Sequence, residues 1–141
     1  MNSNIFHCAV EGGFLETTLP FYTEILGCKL GPREKGRWQD IDFWGNELTL
    51  HESTPRMGLE GHRHPVDREQ AWVPHFGIHL SPTDYSLVVR CIQNGPGFLD
   101  NPVNRFNSMV TSQITFFVAD PNFNVIEIKK MVGNYYQSTN V

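Results

Sequence analysis

The sequence predicts an α+β fold in which a β-α-β-β-β module occurs twice. Strand-like and helix-like patterns recur in the same order in both halves, and each half opens on an apolar run with histidine at its third position. These runs read IFHCAVE and VPHFGIHL. We therefore expect one domain over residues 1–141, with a first module at about 4–52, a loop at 53–72 and a second module at about 73–131.

The first module begins with a predicted strand at residues 4–10, whose side chains alternate between two faces. A helical pattern follows over residues 15–26 and ends at Gly27, which suits the left-handed position after a helix. Pro20 interrupts this pattern. We therefore expect the regular helix to begin near Thr18, with the proline in its first turn.

Three predicted strands complete the first module, and polar residues mark one face of the last strand. The strands cover residues 28–33, 38–43 and 46–52. The last two flank a Trp44-Gly45 turn, which predicts a hairpin. Glu47, Thr49 and His51 share one face of the last strand, so this face is not expected to pack against an apolar core.

The second module repeats this order after a break. Residues 53–72 are rich in Gly, Pro and charge and show no clear period, which predicts a long surface loop that covers a functional site. A strand is predicted at 73–80, and then Ser81 and Pro82 indicate a helix start, with the serine as N-cap and the helix reaching Gly95. The remaining strands are predicted near 98–101, 112–119 and 124–130.

Composition excludes several classes of protein. The formal net charge of -4 argues against nucleic acid as a partner, which usually requires a basic surface. No apolar stretch approaches the ~20 residues that span a bilayer, and the N-terminus lacks a signal-peptide pattern. The cysteines lack disulfide-like or CxxC spacing, and Cys8 and Cys91 are expected to pack as small apolar residues. We expect a cytoplasmic protein with a small-molecule substrate.

Three potential metal ligands occupy corresponding places in the two halves. His7 and His75 each lie in the predicted first strand of a module, and Glu127 lies in the predicted last strand, within NVIEIKK. Two imidazoles and one carboxylate, with coordination positions left open, form the facial triad that non-haem Fe(II) oxygenases use. These residues therefore predict a divalent metal site for which Fe(II) is favoured.

The strings at these places resemble the vicinal-oxygen-chelate superfamily. They are FYTEILGCKL in the first module, HFGIHL at the start of the second, and TFFVADPNFNVIEIKK near the end. The resemblance extends from about Ile5 to Met131. The superfamily includes glyoxalase I, extradiol dioxygenases, thiol transferases of fosfomycin resistance and bleomycin-binding proteins. The resemblance implies two paired modules that form a curled mixed-sheet cup with helices outside and a divalent metal inside.

The resemblance also implies ligands. His7 and His75 match the first-strand ligands of the two modules, and Glu127 matches the last-strand carboxylate. Glyoxalase I has a fourth ligand, a carboxylate on the last strand of the first module, where Thr49 stands here if the two turns are paired. Glu47 lies two residues away, and a shift of register would restore the carboxylate. Extradiol dioxygenases use three protein ligands, so the closest resemblance is to a two-module extradiol-type member.

His51 is the candidate catalytic residue. In extradiol enzymes a histidine from the equivalent strand handles the substrate proton, and an imidazole pKa near working pH suits that task. A structural role and a fourth metal ligand are the alternatives for His51. The extradiol pattern has a tyrosine where this chain has Phe117, which removes one hydrogen bond to substrate. The candidate substrate-binding residues are Phe117, Arg105, Gln113 and His79.

The resemblance implies a metal-dependent enzyme, and our first expectation is a ring-cleaving or related dioxygenase that acts on a small substrate with vicinal oxygens. The alternative enzyme is a lyase, isomerase or thiol transferase that uses Mn(II), Ni(II) or Zn(II). The alternative from another class is a metal-free binding protein of the bleomycin-resistance type. Two-module members usually dimerise, so we expect a homodimer, with each site either within one chain or shared across the interface.

Overall fold

Two four-stranded mixed sheets dominate the structure, a computed structural model that describes residues 4–59, 63–66, 69–105 and 113–130. Contacts divide the chain into two compact units. The first comprises Met1–Glu60 with Asp120–Asn124, and the second comprises Gly61–Ala119 with Val125–Val141. Each unit contains one of the sheets and one α-helix, which confirms the predicted α+β class.

The first unit has the predicted β-α-β-β-β order. Its elements are β1 (His7–Gly13), α1 (Leu15–Pro20), a π-helix (Phe21–Ile25), β2 (Lys29–Glu34), β3 (Trp38–Phe43) and β4 (Asn46–Glu52). The sheet order is β1-β4-β3-β2, in which β1 runs parallel to β4 and the other pairs are antiparallel. Trp44 and Gly45 both have positive φ, as a two-residue hairpin turn of type I′ requires, so the predicted hairpin is confirmed.

The second unit repeats this topology after an additional hairpin. Its elements are β5 (Arg63–Val66), β6 (Glu69–Trp72), β7 (Phe76–Leu80), α2 (Pro82–Gln93), β8 (Asp100–Arg105), β9 (Gln113–Ala119) and β10 (Val125–Lys130). The sheet order is β7-β10-β9-β8, with β7 parallel to β10. This is the order of the first sheet, so the predicted internal repeat is confirmed.

The first helix differs from the prediction in its start and its form. It begins at Leu15 rather than near Thr18, because the Phe14 carbonyl already accepts hydrogen bonds from the backbone of Thr17 and Thr18. Pro20 stands at the last helical position, and since it has no N–H it cannot donate to the carbonyl four residues earlier. A π-helix follows, closed by a hydrogen bond of 3.0 Å from the Leu26 N–H to the Phe21 carbonyl.

The prediction of an irregular loop over residues 53–72 was wrong in its second part. β5 and β6 pair as an antiparallel hairpin there. Trp72, which ends β6, is buried and donates its indole N–H to the Asp100 carboxylate at 3.0 Å. The buried indole therefore holds the hairpin against β8. The polar composition of residues 53–72 gave no indication of this contact.

The next strand starts later than predicted. β7 begins at Phe76, so His75 precedes the strand rather than lying within it. The start of α2 is confirmed, since the Ser81 hydroxyl accepts a hydrogen bond from the Asp84 N–H at 3.2 Å. The helix ends at Gln93, before the predicted Gly95.

The cysteines occupy different environments. Cys28 is buried, and burial together with the nearby Asp42 raises its pKa to about 12. Cys8 is half-buried, whereas Cys91 is exposed on α2, which corrects the expectation that it packs in the core. None of the helices in the described ranges is long and apolar enough to cross a membrane.

A buried polar network holds Asp120–Asn124, the segment between β9 and β10 that belongs to the first unit. The Tyr22 hydroxyl donates to one Asp120 oxygen at 2.6 Å, and the other oxygen accepts the backbone N–H groups of Asn122 and Asn124 at 2.8 and 2.9 Å. Both asparagine amides donate to the Glu11 carbonyl. Burial raises the pKa of Asp120, and its hydrogen bonds act in the opposite direction. The network fixes the backbone of residues 120–124.

Candidate functional site

His7 and Glu47 form the candidate site of the first unit. The parallel pairing of β1 with β4 places the two residues opposite each other. Nδ1 of His7 lies 2.7 Å from Oε1 of Glu47, and both side chains are about half exposed, at 56% and 51%. Because a carboxylate oxygen only accepts, Nδ1 carries the proton, and in the neutral ring Nε2 keeps its lone pair. The pair thus leaves Nε2 of His7 as a potential metal donor, while the Glu47 carboxylate accepts from the Nδ1 side of the ring.

The other candidates for a fourth ligand on β4 have different surroundings. The Thr49 hydroxyl donates to Asp40 at 2.5 Å. His51 stands opposite Glu11 and Trp38, four residues beyond Glu47. At about 3.3 Å per residue, that places His51 about 13 Å along the strand from Glu47. The structure therefore brings Glu47, and neither Thr49 nor His51, to His7, and the catalytic role of His51 stays a prediction.

His75 and Glu127 form the candidate site of the second unit. Nε2 of His75 lies 3.9 Å from Oε2 of Glu127. Nδ1 of His75 contacts the backbone carbonyl of Trp72, which only accepts, so Nδ1 carries the proton and Nε2 bears the lone pair. The ring also packs edge-on against Phe117, with centroids 5.2 Å apart. This fixes both the tautomer and the orientation that metal binding through Nε2 requires.

Gly77 allows β7 and β10 to approach each other closely at Glu127. The two residues are partners in the parallel register. A Cβ atom on residue 77 would lie only 2.0 Å from the Glu127 carbonyl oxygen. Glycine is therefore needed at this position, because any side chain would push apart the two strands that hold His75 and Glu127 together.

Lys129 is a site residue that our sequence analysis missed. Its Nζ lies 2.9 Å from Oε1 of Glu127, so the two carboxylate oxygens have separate neighbours, Lys129 on one side and His75 on the other. The alternation in VIEIKK places residues 127 and 129 on the same face of the strand and could have revealed the pair. Lys129 thereby orients the carboxylate so that Oε2 faces the imidazole.

A pocket of about 250 Å³ surrounds this second pair. His75, Glu127, Lys129 and the predicted substrate residue His79 all line it. Burial lowers the pKa of His79, Lys129 lowers it further, and Glu127 acts in the opposite direction. His79 therefore favours its neutral form in a pocket that carries one negative and one positive side chain.

The remaining predicted substrate residues are Phe117, which is buried, and Arg105 and Gln113, whose side chains lie outside the described part of the structure. Phe117 is only 2% exposed, so it supports His75 from the core side rather than offering a free surface. The backbones of Arg105 and Gln113 pair at the ends of β8 and β9. The positions of their side chains lie outside the described part of the structure, so their role in substrate binding stays a prediction.

The donors of both units suit a divalent transition metal. Imidazole and carboxylate groups are common ligands of Fe, Mn, Ni and Zn. Two donors that each lie about 2.1 Å from one metal are about 3.0 Å apart in a six-coordinate site and about 3.4 Å apart in a tetrahedral one. The His75–Glu127 separation of 3.9 Å is larger than both, so the two side chains must move closer to bind one metal. Within the described ranges, no group of three or more His, Cys, Asp or Glu side chains is arranged to hold a metal. Each unit contains one imidazole and one carboxylate that are potential donors.

Comparisons with known proteins identify structural neighbours. No protein-family model and no curated protein matches the sequence. A glyoxalase/bleomycin resistance protein/dioxygenase from Alicyclobacillus acidocaldarius has a TM-score of 0.71 and 26% identity, over 93% of each chain. A glyoxalase/dioxygenase from Nostoc punctiforme has a TM-score of 0.67 and 17% identity, over 92% of this chain and 91% of that one.

A third neighbour is named for a specific activity. Lactoylglutathione lyase from Agrobacterium tumefaciens has a TM-score of 0.57 and 12% identity, over 92% of this chain and 94% of that one. All three neighbours cover nearly the whole chain, so the likeness includes both units. Their names include both lyase and dioxygenase activities.

Proposed function

We propose that this protein, whose fold and structural neighbours are those of the vicinal-oxygen-chelate superfamily, is a divalent-metal-dependent enzyme. Its substrate is a small molecule with two vicinal oxygens, and its reaction is an isomerisation or lyase reaction of the glyoxalase type. We infer that His7, His75 and Glu127 are metal ligands and that Glu47 is a fourth. This changes our first expectation, a dioxygenase with three protein ligands.

The position of Glu47 beside His7 is the observation that carries this proposal. Its carboxylate accepts from Nδ1 of His7 in the structure, and in a four-ligand site it turns from Nδ1 toward a metal bound at Nε2. With Glu47 as a ligand, the protein supplies four donors, and a six-coordinate metal keeps two positions, which match two vicinal oxygens. A facial triad instead keeps three positions, which an extradiol dioxygenase needs for two substrate oxygens and dioxygen. Phe117 also lacks the hydroxyl of the extradiol pattern, and it is buried. Both features favour chemistry without dioxygen.

The chain's own groups suit proton transfer on a bound substrate. When bound, a divalent metal polarises the substrate oxygens and makes adjacent protons more acidic. The half-exposed Glu47 carboxylate is accessible to accept such a proton and return it to a neighbouring atom. Lys129 and the Trp72 carbonyl hold Glu127 and His75 in orientations that leave Oε2 and Nε2 for binding.

Metal content is the decisive measurement. Protein purified without added metal should contain about one equivalent of Zn, Ni, Mn or Fe per chain. His7→Ala, Glu47→Ala, His75→Ala and Glu127→Ala should each lose most of it while keeping the wild-type circular dichroism spectrum. His51→Ala is the matched control, since His51 lies on the same face of β4 as Glu47 but is not near His7. Wild-type protein that binds no metal would instead indicate a metal-free binding protein.

A dioxygenase is the second candidate, because the hydrogen bond between Glu47 and His7 is also the contact by which a carboxylate orients a metal-binding imidazole. Glu47→Gln separates the two roles, since an amide oxygen still accepts from the imidazole N–H but is a poor metal ligand. Loss of metal in Glu47→Gln supports the four-ligand site. Full metal retention would reduce the ligands to His7, His75 and Glu127 and favour the dioxygenase.

Activity assays test the chemistry directly. The metal-loaded protein should turn over a hemithioacetal of a 2-oxoaldehyde. Protein loaded anaerobically with Fe(II) should consume no dioxygen across a panel of catechols. Oxygen uptake with formation of a yellow ring-cleavage product would favour the dioxygenase instead. In that case His51→Ala should lower turnover by about 10² to 10⁴ without loss of metal, because His51 would transfer the proton.

A further inference from the structure

We propose that a groove in the first unit binds a small aromatic zwitterion, a molecule with one aromatic ring, one ammonium group and one carboxylate. The groove lies between the start of α1 and the turn that joins β2 to β3, and we call it the α1 groove. Its volume of about 420 Å³ is within the range of about 300 to 1,000 Å³ that small-molecule sites have. All of its lining residues belong to the first unit and none is a proposed metal ligand, so the inference goes beyond the proposed function.

Two aromatic side chains supply an apolar surface for a ligand ring. Phe14 stands just ahead of α1 and is 58% exposed, and Trp38 begins β3 and is half-buried. Neither contacts another aromatic ring within the described ranges. The Trp38 indole N–H donates to a Glu34 carboxylate oxygen at 3.2 Å, which orients the indole through its edge. A flat aromatic group in the α1 groove would pack against these two rings and remove them from water.

Gln39 gives the α1 groove a fixed hydrogen-bond acceptor. The residue is only 3% exposed, and its Nε2 donates to the carbonyls of Gly31, Pro32 and Asp40 at 2.9, 3.3 and 2.8 Å. These three contacts fix the amide group, whose Oε1 accepts no hydrogen bond from any described residue. Because Gln39 lines the α1 groove, an N–H group of a bound ligand would supply the missing donor. An ammonium group carries three such donors.

The α1 groove is basic on one side and acidic on the other. Arg33 and Lys35, on β2 and in the turn after it, line the basic side, and Glu16 on α1 and Glu52 at the end of β4 line the acidic side. Among the described residues, the side chains of Arg33, Lys35 and Glu16 have no ion-pair or hydrogen-bond partner. The Glu52 carboxylate accepts only the backbone N–H of Leu15 there, at 2.9 Å. A ligand with a carboxylate and an ammonium group complements both sides, whereas a singly charged ligand complements one.

The test compares four probes related to phenylalanine. L-phenylalanine has the ring and both charges, 2-phenylethylamine lacks the carboxylate, 3-phenylpropionate lacks the ammonium group, and L-alanine lacks the ring. Dissociation constants are measured by calorimetry at pH 7, on the protein as purified and again after dialysis against EDTA. L-phenylalanine should bind about tenfold more tightly than each of the other three probes, with the same affinity before and after dialysis.

Variants of the charged residues assign each end of the ligand. Arg33→Met combined with Lys35→Met should weaken L-phenylalanine binding about tenfold and should not weaken binding of 2-phenylethylamine, which has no carboxylate. Glu16→Gln should weaken binding of L-phenylalanine and 2-phenylethylamine, but not of 3-phenylpropionate. Arg37→Met and Glu24→Gln are the matched controls, because they remove the same charges from residues that do not line the α1 groove. Both controls should bind all probes as the wild type does.

Trp38→Ala tests the place of the ring, and it should weaken the three ring-containing probes alike. The proposal is overturned if L-phenylalanine does not bind, or if the control variants lose as much affinity as the variants of the α1 groove. A singly charged probe that binds as tightly as L-phenylalanine would overturn the zwitterion. Binding that disappears after EDTA treatment would mean that the amino acid chelates a bound metal, which would overturn the α1 groove as its site and support the proposed metal site.

Discussion

At the scale of single residues, the candidate site depends on groups that are not themselves ligands. The Trp72 carbonyl sets the tautomer of His75, and Lys129 sets the orientation of the Glu127 carboxylate. Gly77 allows the backbone approach that holds these two residues together. A histidine or carboxylate side chain binds a metal well only when neighbouring groups hold its donor atom in the right orientation.

We predict that Gly77→Ala damages both stability and the site. The added methyl group would meet the Glu127 carbonyl oxygen, so β7 and β10 must separate. The free energy of unfolding should fall by about 3 kcal/mol, and metal content should fall with it. Gly58→Ala is the control, because nothing lies within 4 Å of a Cβ atom there. Chemical denaturation of both variants checks this, and a stable Gly77→Ala that retains metal would contradict the assignment.

At the scale of elements, turn and cap chemistry was predictable from the sequence, whereas side-chain partners were less so. The Trp44-Gly45 hairpin and the Ser81 cap follow from local rules and are confirmed. The β5–β6 hairpin escaped prediction because Trp72 stabilises it through Asp100, a partner distant in sequence. Glu47 was ambiguous because only the parallel register of β1 with β4 decides which residue faces His7. Long-range pairing accounts for these errors.

The buried network around Asp120 makes a prediction about pH. Asp120→Asn keeps an acceptor for two backbone N–H groups but places an NH₂ group next to the Tyr22 hydroxyl and the Asn124 amide. The free energy of unfolding should fall by about 1 to 3 kcal/mol at pH 7. Burial raises the Asp120 pKa above 3.8, so its protonated form is the one that folding favours. The stability it contributes is therefore fully present below that value and is lost as pH rises.

The difference in stability between wild type and Asp120→Asn should consequently increase when the pH is lowered from 7 to 4. Urea denaturation at several pH values measures it. The exposed Asp84→Asn is the control and should change the free energy of unfolding by less than about 1 kcal/mol at either pH. A difference that shrinks toward acid would mean that the hydrogen bonds to Asp120 outweigh its burial.

At the scale of the whole molecule, the sheet orders leave edge strands that carry exposed apolar residues. β2 is an edge of the first sheet and β8 an edge of the second, as far as the chain is described. Leu30 on β2 and Val103 on β8 are exposed, and so is Phe6, just ahead of β1. Exposed edges with apolar side chains favour association, and two-fold dimers are the commonest result in soluble proteins.

We therefore predict a homodimer, and light scattering at micromolar concentration should give twice the mass of the chain. Leu30→Lys should shift the monomer–dimer equilibrium toward monomer if β2 forms the interface, and Val103→Lys should do so if β8 forms it. With the proposed ligands, a dimer permits sites within one chain or sites shared between chains. Mixing His7→Ala with Glu127→Ala chains distinguishes the two arrangements.

If each site is shared between two chains, a mixed dimer has both substitutions in one of its sites and none in the other. Random mixing makes half of the dimers mixed, so about a quarter of the wild-type metal content should return. Sites within one chain would each retain a defect, and no metal would return on mixing. Wild-type protein that is monomeric and binds metal would exclude the shared arrangement and the dimer together.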